Sequence, residues 1–341
     1  IENMKLKIIF ALLMSFVVCI LGIVIGSVMI PFSDIIIVVG NKLFGVAKTG
    51  NIDAITTSII WDMRIPRVLM AFFVGAALSV SGAIMQSTLK NPLASSYTLG
   101  ASSGAAFGAG IVIVTGFTIP ILGFFTLPLV GLVFGLITVF GAVGFAASMD
   151  RNMDTNTIIL AGMVFSLFIN AILTLVSSLN REDAQRILMW QMGSFSQKNW
   201  TIVIIFLPIA LSLIFLTMFF VRELDLLTFG EEHAKAAGVD ANKVKWILLS
   251  ISSGLTGCAV AFTGVIGFVD LVAPHIVRKL FGSSHRLVIP ISALLGGTFM
   301  VIADLIARTI ISPSELPVGA VTALVGAPFF GYVYFSGRKR R

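Results

Sequence analysis

Apolar and polar positions along this chain fall into long blocks instead of alternating. Stretches without Asp, Glu, Lys or Arg cover residues 8–33, 68–89, 91–149, 155–180, 199–221, 247–269, 287–303 and 316–337. A helix needs about 20 mainly apolar residues to cross the hydrocarbon core. Each block therefore predicts one crossing and 91–149 predicts two, nine in all. Lys5 and Lys7 precede the first block, and Arg338-Lys339-Arg340-Arg341 follows the last. Cations favour the cytoplasmic side of a membrane protein, which puts both ends inside and demands an even number of crossings. The tenth is residues 264–281, short and interrupted by Asp270, Pro274 and His275. With ten crossings, 15 Lys and Arg lie on inner connections and 8 on outer ones.

Composition then closes off other classes. Of 341 residues, 57% are hydrophobic, and only 23 Lys and Arg and 16 Asp and Glu are present. Soluble domains carry roughly a quarter charged residues. The expected fold is an all-α polytopic membrane protein of about ten transmembrane helices, with residues 1–341 as a single membrane domain. Its loops cannot hide a soluble catalytic domain of about 100 residues or more. The net charge of +7 is scattered between apolar runs, unlike the clustered face of a nucleic-acid binder. Cys19 and Cys258 both lie inside apolar runs and support neither a disulfide nor a metal site. The first block exceeds a signal peptide's core of roughly 7–15 residues and lacks a clean cleavage site, so it reads as a retained helix.

Three connections are long. Residues 33–66 lie outside and carry an apolar stretch, 35–39, that predicts a short interfacial helix. Residues 180–199 lie outside, with Trp190 and Trp200 suited to the headgroup boundary. The inner loop at about 222–245 contains Gly230, Glu231, Glu232, Ala234 and Gly238. Its two glycines bracket a short helix with acids in the first turn and a glycine stop, a compact knob for a partner or simply a capped loop. Arg64, Arg67 and Arg308 fall at the outer rim. Such arginines serve as headgroup contacts or as forks for a partner's carboxylates.

Polar residues inside the blocks are the remaining candidates. Asn91 and Pro92 end the second crossing. Asp270, Pro274, His275 and Arg278 interrupt the eighth, and Asp304 lies in the ninth. Ionisable groups in hydrocarbon are functional candidates by default, although a structural polar cluster accounts for them equally well. His275 and Arg278 are expected near the inner surface, where long side chains snorkel. The Gly-rich stretch from Gly100 to Gly104 has no following Gly-Lys-Ser/Thr, so no phosphate loop is present. Any nucleotide must be bound by another subunit. No catalytic constellation and no His, Cys or Glu set with metal-ligand spacing emerges.

Several short motifs occur together in order. They are Arg64-Ile-Pro-Arg67, the run from Gly75 to Gly82, Gln86 with Asn91-Pro92-Leu93-Ala94, and Leu99-Gly100 with Gly104. Gly230-Glu231-Glu232 with Ala234 and Gly238 follows, then Gly267-Phe268, Leu271-Val272, Pro274-His275 and Arg278. His285-Arg286, Ala303-Asp304 with Ala307-Arg308, and Glu315-Leu316-Pro317 with Gly319 complete the set. This pattern resembles the FecCD family of ABC-importer permeases, which serve ferric siderophores, haem and vitamin B12.

The resemblance implies a type II ABC importer, vitamin B12 permease-like fold, in a homodimer whose path lies on the dimer axis. It implies a multi-pass protein of the bacterial cytoplasmic membrane with both termini inside. It implies a cytoplasmic ATPase subunit that binds ATP and docks on the loop at Gly230–Gly238, and an external substrate-binding protein whose glutamates pair with Arg64, Arg67 and Arg308. The fifth and tenth helices would line the path. The chain departs from the family at Asp270, where Gly is usual, and a bond to Arg308, Lys279 or a neighbouring helix is open. The expected cargo is a ferric siderophore, with haem and cobalamin as alternatives. The competing class is an ion-coupled secondary transporter in which Asp270 and Asp304 carry protons.

Overall fold

The computed structural model describes residues 2–26, 29–45, 52–150 and 152–338, and among these the regular structure is helical throughout. The predicted crossings appear as α1 (Glu2–Val24), α4 (Ile65–Thr88), α5 (Ala101–Thr115), α6 (Thr126–Met149), α7 (Thr155–Leu179), α9 (Trp200–Met218), α12 (Ala241–Thr263), α13 (Val269–Phe281), α14 (His285–Thr309) and α15 (Val318–Arg338). Between them lie α2 (Phe32–Phe44), α3 (Ala54–Ser58) with a π-helical turn (Ile59–Arg64), α8 (Arg181–Gln191), α10 (Val221–Phe229) and α11 (Glu231–Ala236). Residues 339–341 of the basic tail lie outside the described residues.

Among the described residues, seven helical stretches are long and apolar enough to cross a bilayer, those of α1, α4, α6, α7, α9, α12 and α14. The other three are shorter for identifiable reasons. Helix α5 has 15 residues because residues 89–100 fold back as turns before it starts. Helix α13 has 13 residues, about 20 Å of a core about 30 Å thick. Gly264 at φ 77° and Phe268 at φ 69° turn the chain back after α12 and delay the start of α13. The apolar stretch of α15 covers Val318–Phe329.

The architecture is a ring of helices around α4. Nearly the whole of α4 is buried, from Val68 through Thr88, whereas α1, α7 and α9 present Phe10, Leu167, Phe168 and Phe215 outward. A helix that is apolar all round and buried all round forms the axis of a bundle. Two glycines on α4 set its spacing. At Gly75 a Cβ would overlap the Gly296 carbonyl of α14, and at Gly82 it would overlap the Asp270 carbonyl of α13. Small residues at such crossings allow backbones to approach closely where lipid supplies no hydrophobic drive.

Hydroxyls supply the remaining adhesion. Ser81 on α4 meets Ser96 at 2.9 Å, Ser252 Oγ at 2.7 Å and Thr256 at 2.7 Å. The cluster joins α4, the 89–100 segment and α12 through bonds that have no competing water in a membrane interior.

The connections at 33–66 and 180–199 are more structured than the sequence suggests. The expected short helix at 35–39 extends over all of α2. The 180–199 connection contains an amphipathic helix, α8. Trp200 donates its indole N–H to the Trp61 carbonyl at 2.7 Å, which fixes the start of α9 to the π turn before α4.

Candidate functional site

Helix α14 connects two polar regions. It begins at His285, beside α10, and carries Arg308 in its last turn, beside the end of α1. Its 25 residues span about 37 Å at 1.5 Å per residue, so these regions lie at opposite ends of the bundle.

At the Arg308 end the three predicted arginines come together around one cavity, and each is bonded within the bundle. Arg64 and Arg308 are each only 6% exposed, so they form no free rim. A helix leaves its last four carbonyls without intrahelical donors, and α1 stops at Val24. Ile25 N–H serves Leu21. Arg308 Nη2 donates to the Gly22 carbonyl, and Arg64 Nη1 donates to Ile23 at 2.9 Å and Val24 at 2.7 Å. The two arginines thus cap α1, where cations also suit the helix dipole. A Cβ on Gly26 would come within 2.7 Å of Arg64 Nη2, so a larger residue there would push the guanidinium off the end of α1.

Arg67 is a brace. It gives Nη2 to Asp304 at 2.8 Å and Nη1 to Glu315 at 2.6 Å, with further bonds to each carboxylate. This planar fork ties α4 to α14 and to the turn before α15. Asp304 is 1% exposed and also faces Arg308 Nε at 3.6 Å. Of the two roles open to Asp304, the structural cluster is the one seen. The cluster borders a cavity of about 300 Å³ lined by Gly26, Ile59, Met63, Arg64, Arg67, Arg308, Pro313 and Glu315. Three guanidiniums against Asp304 and Glu315 leave one net positive charge. Half-buried Lys198 adds to it. Burial first, and the charge of Arg67 second, pull the Lys198 ammonium down to about 8.

At the other end the short helix between Gly230 and Gly238 forms as expected, as α11. Gly230 at φ 125° and Gly238 at φ 81° allow the sharp entry and exit. Val239 N–H returns to the Ala234 carbonyl at 2.9 Å to close the turn. Two predicted contact residues face inward instead. Ala234 is fully buried, and Glu231 accepts from Lys245 Nζ at 2.6 Å. Lys245 is itself fully buried and donates to the Met153 carbonyl at 2.8 Å, while Lys90 lies 3.7 Å from Glu231. The helix is therefore clamped to α12 and to two neighbouring turns. Glu232 and Gly238, with His233 and Lys235, form its exposed face.

The interrupting residues of α13 have local causes. Pro274 lacks an N–H, so the carbonyl four residues earlier, that of Asp270, has no partner within the helix. Gln86 Nε2 supplies one at 3.2 Å. The Asp270 carboxylate accepts from Ser95 Oγ, not from Arg308 or Lys279, and sits in the first turn of its helix, where an anion is favoured. Arg278 does not snorkel outward. It folds back onto α4, to Gln86 Oε1, to Ser87 Oγ at 3.0 Å and to the Ala83 carbonyl at 3.3 Å. His275 is half-buried on the same helix. Asn91 and Pro92 belong to an exposed turn beside Lys90, where Asn91 Oδ1 accepts from Leu93 N at 2.9 Å. They are not core residues.

Sequence reasoning gives no role to Lys245, Glu315, Lys198, Ser87, His285 or Asp225. Lys245 and Asp225 lie in a loop whose charges read as solvated. The signal available for His285 is its place at the start of an apolar block, four positions after Phe281.

The sequence pattern of the FecCD transport family matches residues 12–336. An uncharacterized ABC transporter permease protein of Bacillus subtilis, YvrB, is 44% identical over 92% of this chain and 89% of its own length. The hemin transport system permease protein HmuU of Yersinia pestis is 37% identical over 83% of this chain and 85% of its own. A solved structure of a metal-chelate type ABC transporter in an inward-facing conformation superposes with a TM-score of 0.82 at 30% identity. That match covers 97% of this chain and 99% of the other.

The clamp on α11 makes a stability prediction. Glu231→Gln leaves the buried Lys245 ammonium without its carboxylate and should cost roughly 2 kcal/mol, the scale of a hydrogen bond to a charged group. Adding Lys245→Met, which removes the charge, should recover most of the loss in a thermal melt in detergent. Equal melting of Glu231→Gln and the parent would show that the pair contributes nothing.

Proposed function

We propose a cargo and a mode of action for a chain that belongs to the FecCD transport family and is the permease of an ATP-binding-cassette importer. The cargo is a ferric siderophore, released by a substrate-binding protein docked at the Arg64, Arg67 and Arg308 end. Two copies of the chain enclose the path across the bacterial cytoplasmic membrane. A separate ATPase subunit binds ATP and docks on the exposed face of α11, with both chain termini on its side. ATP-driven closure of that subunit moves α11, and the bundle alternates between outward and inward access. No chemistry occurs in this chain.

The observation that carries the reading is the pairing of two built ends on one helix bundle. One end is a braced surface helix with Glu232, His233, Lys235 and Gly238 outward. The other is a cavity edged by three arginines with one net positive charge. The solved neighbour of the same fold is of metal-chelate type and the Yersinia relative is a hemin permease, which supports a chelated iron cargo. Haem and cobalamin are the next candidates. The ion-coupled reading gives way to the importer. It required Asp270 and Asp304 to exchange protons, whereas the matching family pattern and the Bacillus relative are those of ABC permeases, and Asp304 is tied up by Arg67.

Uptake in cells lacking the chain, against cells with it restored, tests the cargo. The panel is iron-55 on hydroxamate and catecholate siderophores, with haem and labelled cobalamin. Loss and return of one siderophore is the expected result. Loss and return of haem or cobalamin instead would replace the siderophore, and no change in any would remove all three.

Docking makes a second prediction, of opposite signs. Glu315→Gln takes one anion from the cavity rim and should tighten binding-protein docking. Lys198→Glu should weaken it, each by about two- to fivefold at low salt and less at high salt. Because Lys198 discharges as pH rises through about 8, docking to the parent should also weaken between pH 7 and 9, and in Lys198→Gln that weakening should vanish. Affinities indifferent to both substitutions would place the docking site elsewhere.

A further inference from the structure

One chain of polar side chains in the bundle is used by none of the roles above. Asp225, on α10, points its carboxylate at the start of α14, where Oδ1 accepts from His285 N at 2.9 Å and from His285 Nδ1 at 2.6 Å. Helix α14 has no cap from its own residue Ser284, so a neighbouring element supplies the anion that its first turn favours. His285, 1% exposed, meets Ser87 Oγ through Nε2 at 2.6 Å. Ser87 also accepts from Arg278 Nη2. Arg278 reaches Gln86, and Gln86 reaches the Asp270 carbonyl that Pro274 leaves unpaired. Asp225, His285, Ser87, Arg278 and Asp270 therefore lie on one continuous hydrogen-bonded path through α10, α14, α4 and α13.

Aspartate, histidine and serine in this order also form the arrangement of a hydrolytic triad, but the site has no place for a substrate. Ser87 is 3% exposed, and its hydroxyl is already engaged by His285 and by Arg278 Nη2 at 3.0 Å. The charge pattern suits a mechanical role better. The Arg278 acceptors are a side-chain amide, a hydroxyl and a backbone carbonyl, all neutral. The carboxylate at the far end of the same path is Asp225. The two opposite charges are joined through the buried Ser87 and His285, where hydrogen bonds in series polarise one another.

We infer that Asp225, His285, Ser87 and Arg278 are positioning residues that couple movement of the α10–α11 loop to α14, α4 and α13. The inference rests on the reading of α11 as the ATPase-docking helix. Helix α11 is clamped sideways, to α12 and the turns at Lys90 and Met153, whereas α10 holds the ends of the crossings. Displacing α10 by the length of a hydrogen bond must either carry the start of α14 with it or break the Asp225–His285 pair. Beyond α14, the next members of the path belong to α4 and to α13, which α4 meets in close contact at Gly82.

The experiment uses the complete importer in proteoliposomes, with its ATPase and binding protein, and measures cargo imported per ATP hydrolysed. Asp225→Ala and Ser87→Ala should each lower that ratio about fivefold or more, the lower range of allosteric couplings. ATP hydrolysis should continue, with the melting temperature of the assembled complex near the parent's. Asp225→Asn, which keeps an acceptor for both His285 donors, should retain most of the ratio. The double variant should lose little more than either single one, as expected for members of one path. An unchanged ratio in both single variants overturns the inference. A parallel fall of hydrolysis, import and melting temperature also overturns it, because that is what a purely structural role predicts. Glu232→Lys on the exposed face of α11 is run alongside. If it leaves ATPase docking normal, the docking reading fails by itself, independently of the ratio measured for the path.

Discussion

The bundle depends on how closely α4 approaches its neighbours. At Gly82 there is no room for a single carbon atom beside the Asp270 carbonyl, and at Gly75 none beside the Gly296 carbonyl. Lipid tails are as apolar as leucine, so burying apolar surface between helices gains little in a membrane, and contact distance decides the packing. The close crossing with α13 places Gln86 within reach of the carbonyl that Pro274 leaves without a donor. It also places Arg278 against the end of α4. A methyl group's separation at Gly82 would stretch these bonds together, since they cross the same helix pair.

A second rule follows from the same medium. Every polar group inside must find a partner in the protein, and the buried ions here are used to satisfy helix ends. Arg64 and Arg308 serve the carbonyls that end α1, and half-buried Asp225 serves the His285 amide that begins α14. Lys245 holds α11 to the body of the bundle. Charged residues near crossing ends are thus part of the frame even where they border a candidate docking cavity. Function and stability share the same side chains at the arginine end, which makes Lys198 and Glu315 better probes of docking than the arginines themselves.

Charge-free blocks made the crossings legible. The ends of α4, α7 and α9 fall within a few residues of the blocks that predicted them, whereas α14 runs on past Asp304 because Arg67 pairs with that carboxylate. The interruption at 264–281 was legible too, because Asp, Pro and His within an apolar run each work against an unbroken crossing. Pairings were not. Arg64 reads as an exposed rim residue because its position beside Pro66 is close to a membrane boundary, and nothing local reveals that α1, some 40 positions away, ends there with open carbonyls. Lys245 reads as a solvated loop charge because only the fold brings Met153 and Glu231 around it. Asp225 and His285 are 60 positions apart, and Ser87 and His285 are 198 apart. Such contacts are set by helix packing, and a single sequence carries no trace of them. The short helix between Gly230 and Gly238 was predictable because its signals are local, but which of its residues face outward was not.

The central claim is that glycine contact between α4 and its neighbours fixes the bundle, and paired alanine substitutions test it most directly. Gly82→Ala adds a methyl against a backbone carbonyl, while Gly144→Ala on α6 adds one where no atom lies within 4 Å. Thermal melting of the two purified variants in the same detergent should show Gly82→Ala lowered, by an amount equivalent to about 1–3 kcal/mol for overpacking. Gly144→Ala should be unchanged or slightly raised, since alanine favours the helix. Equal melting of the two variants would contradict the account, because the crossing of α4 and α13 would then have room that this structure denies it.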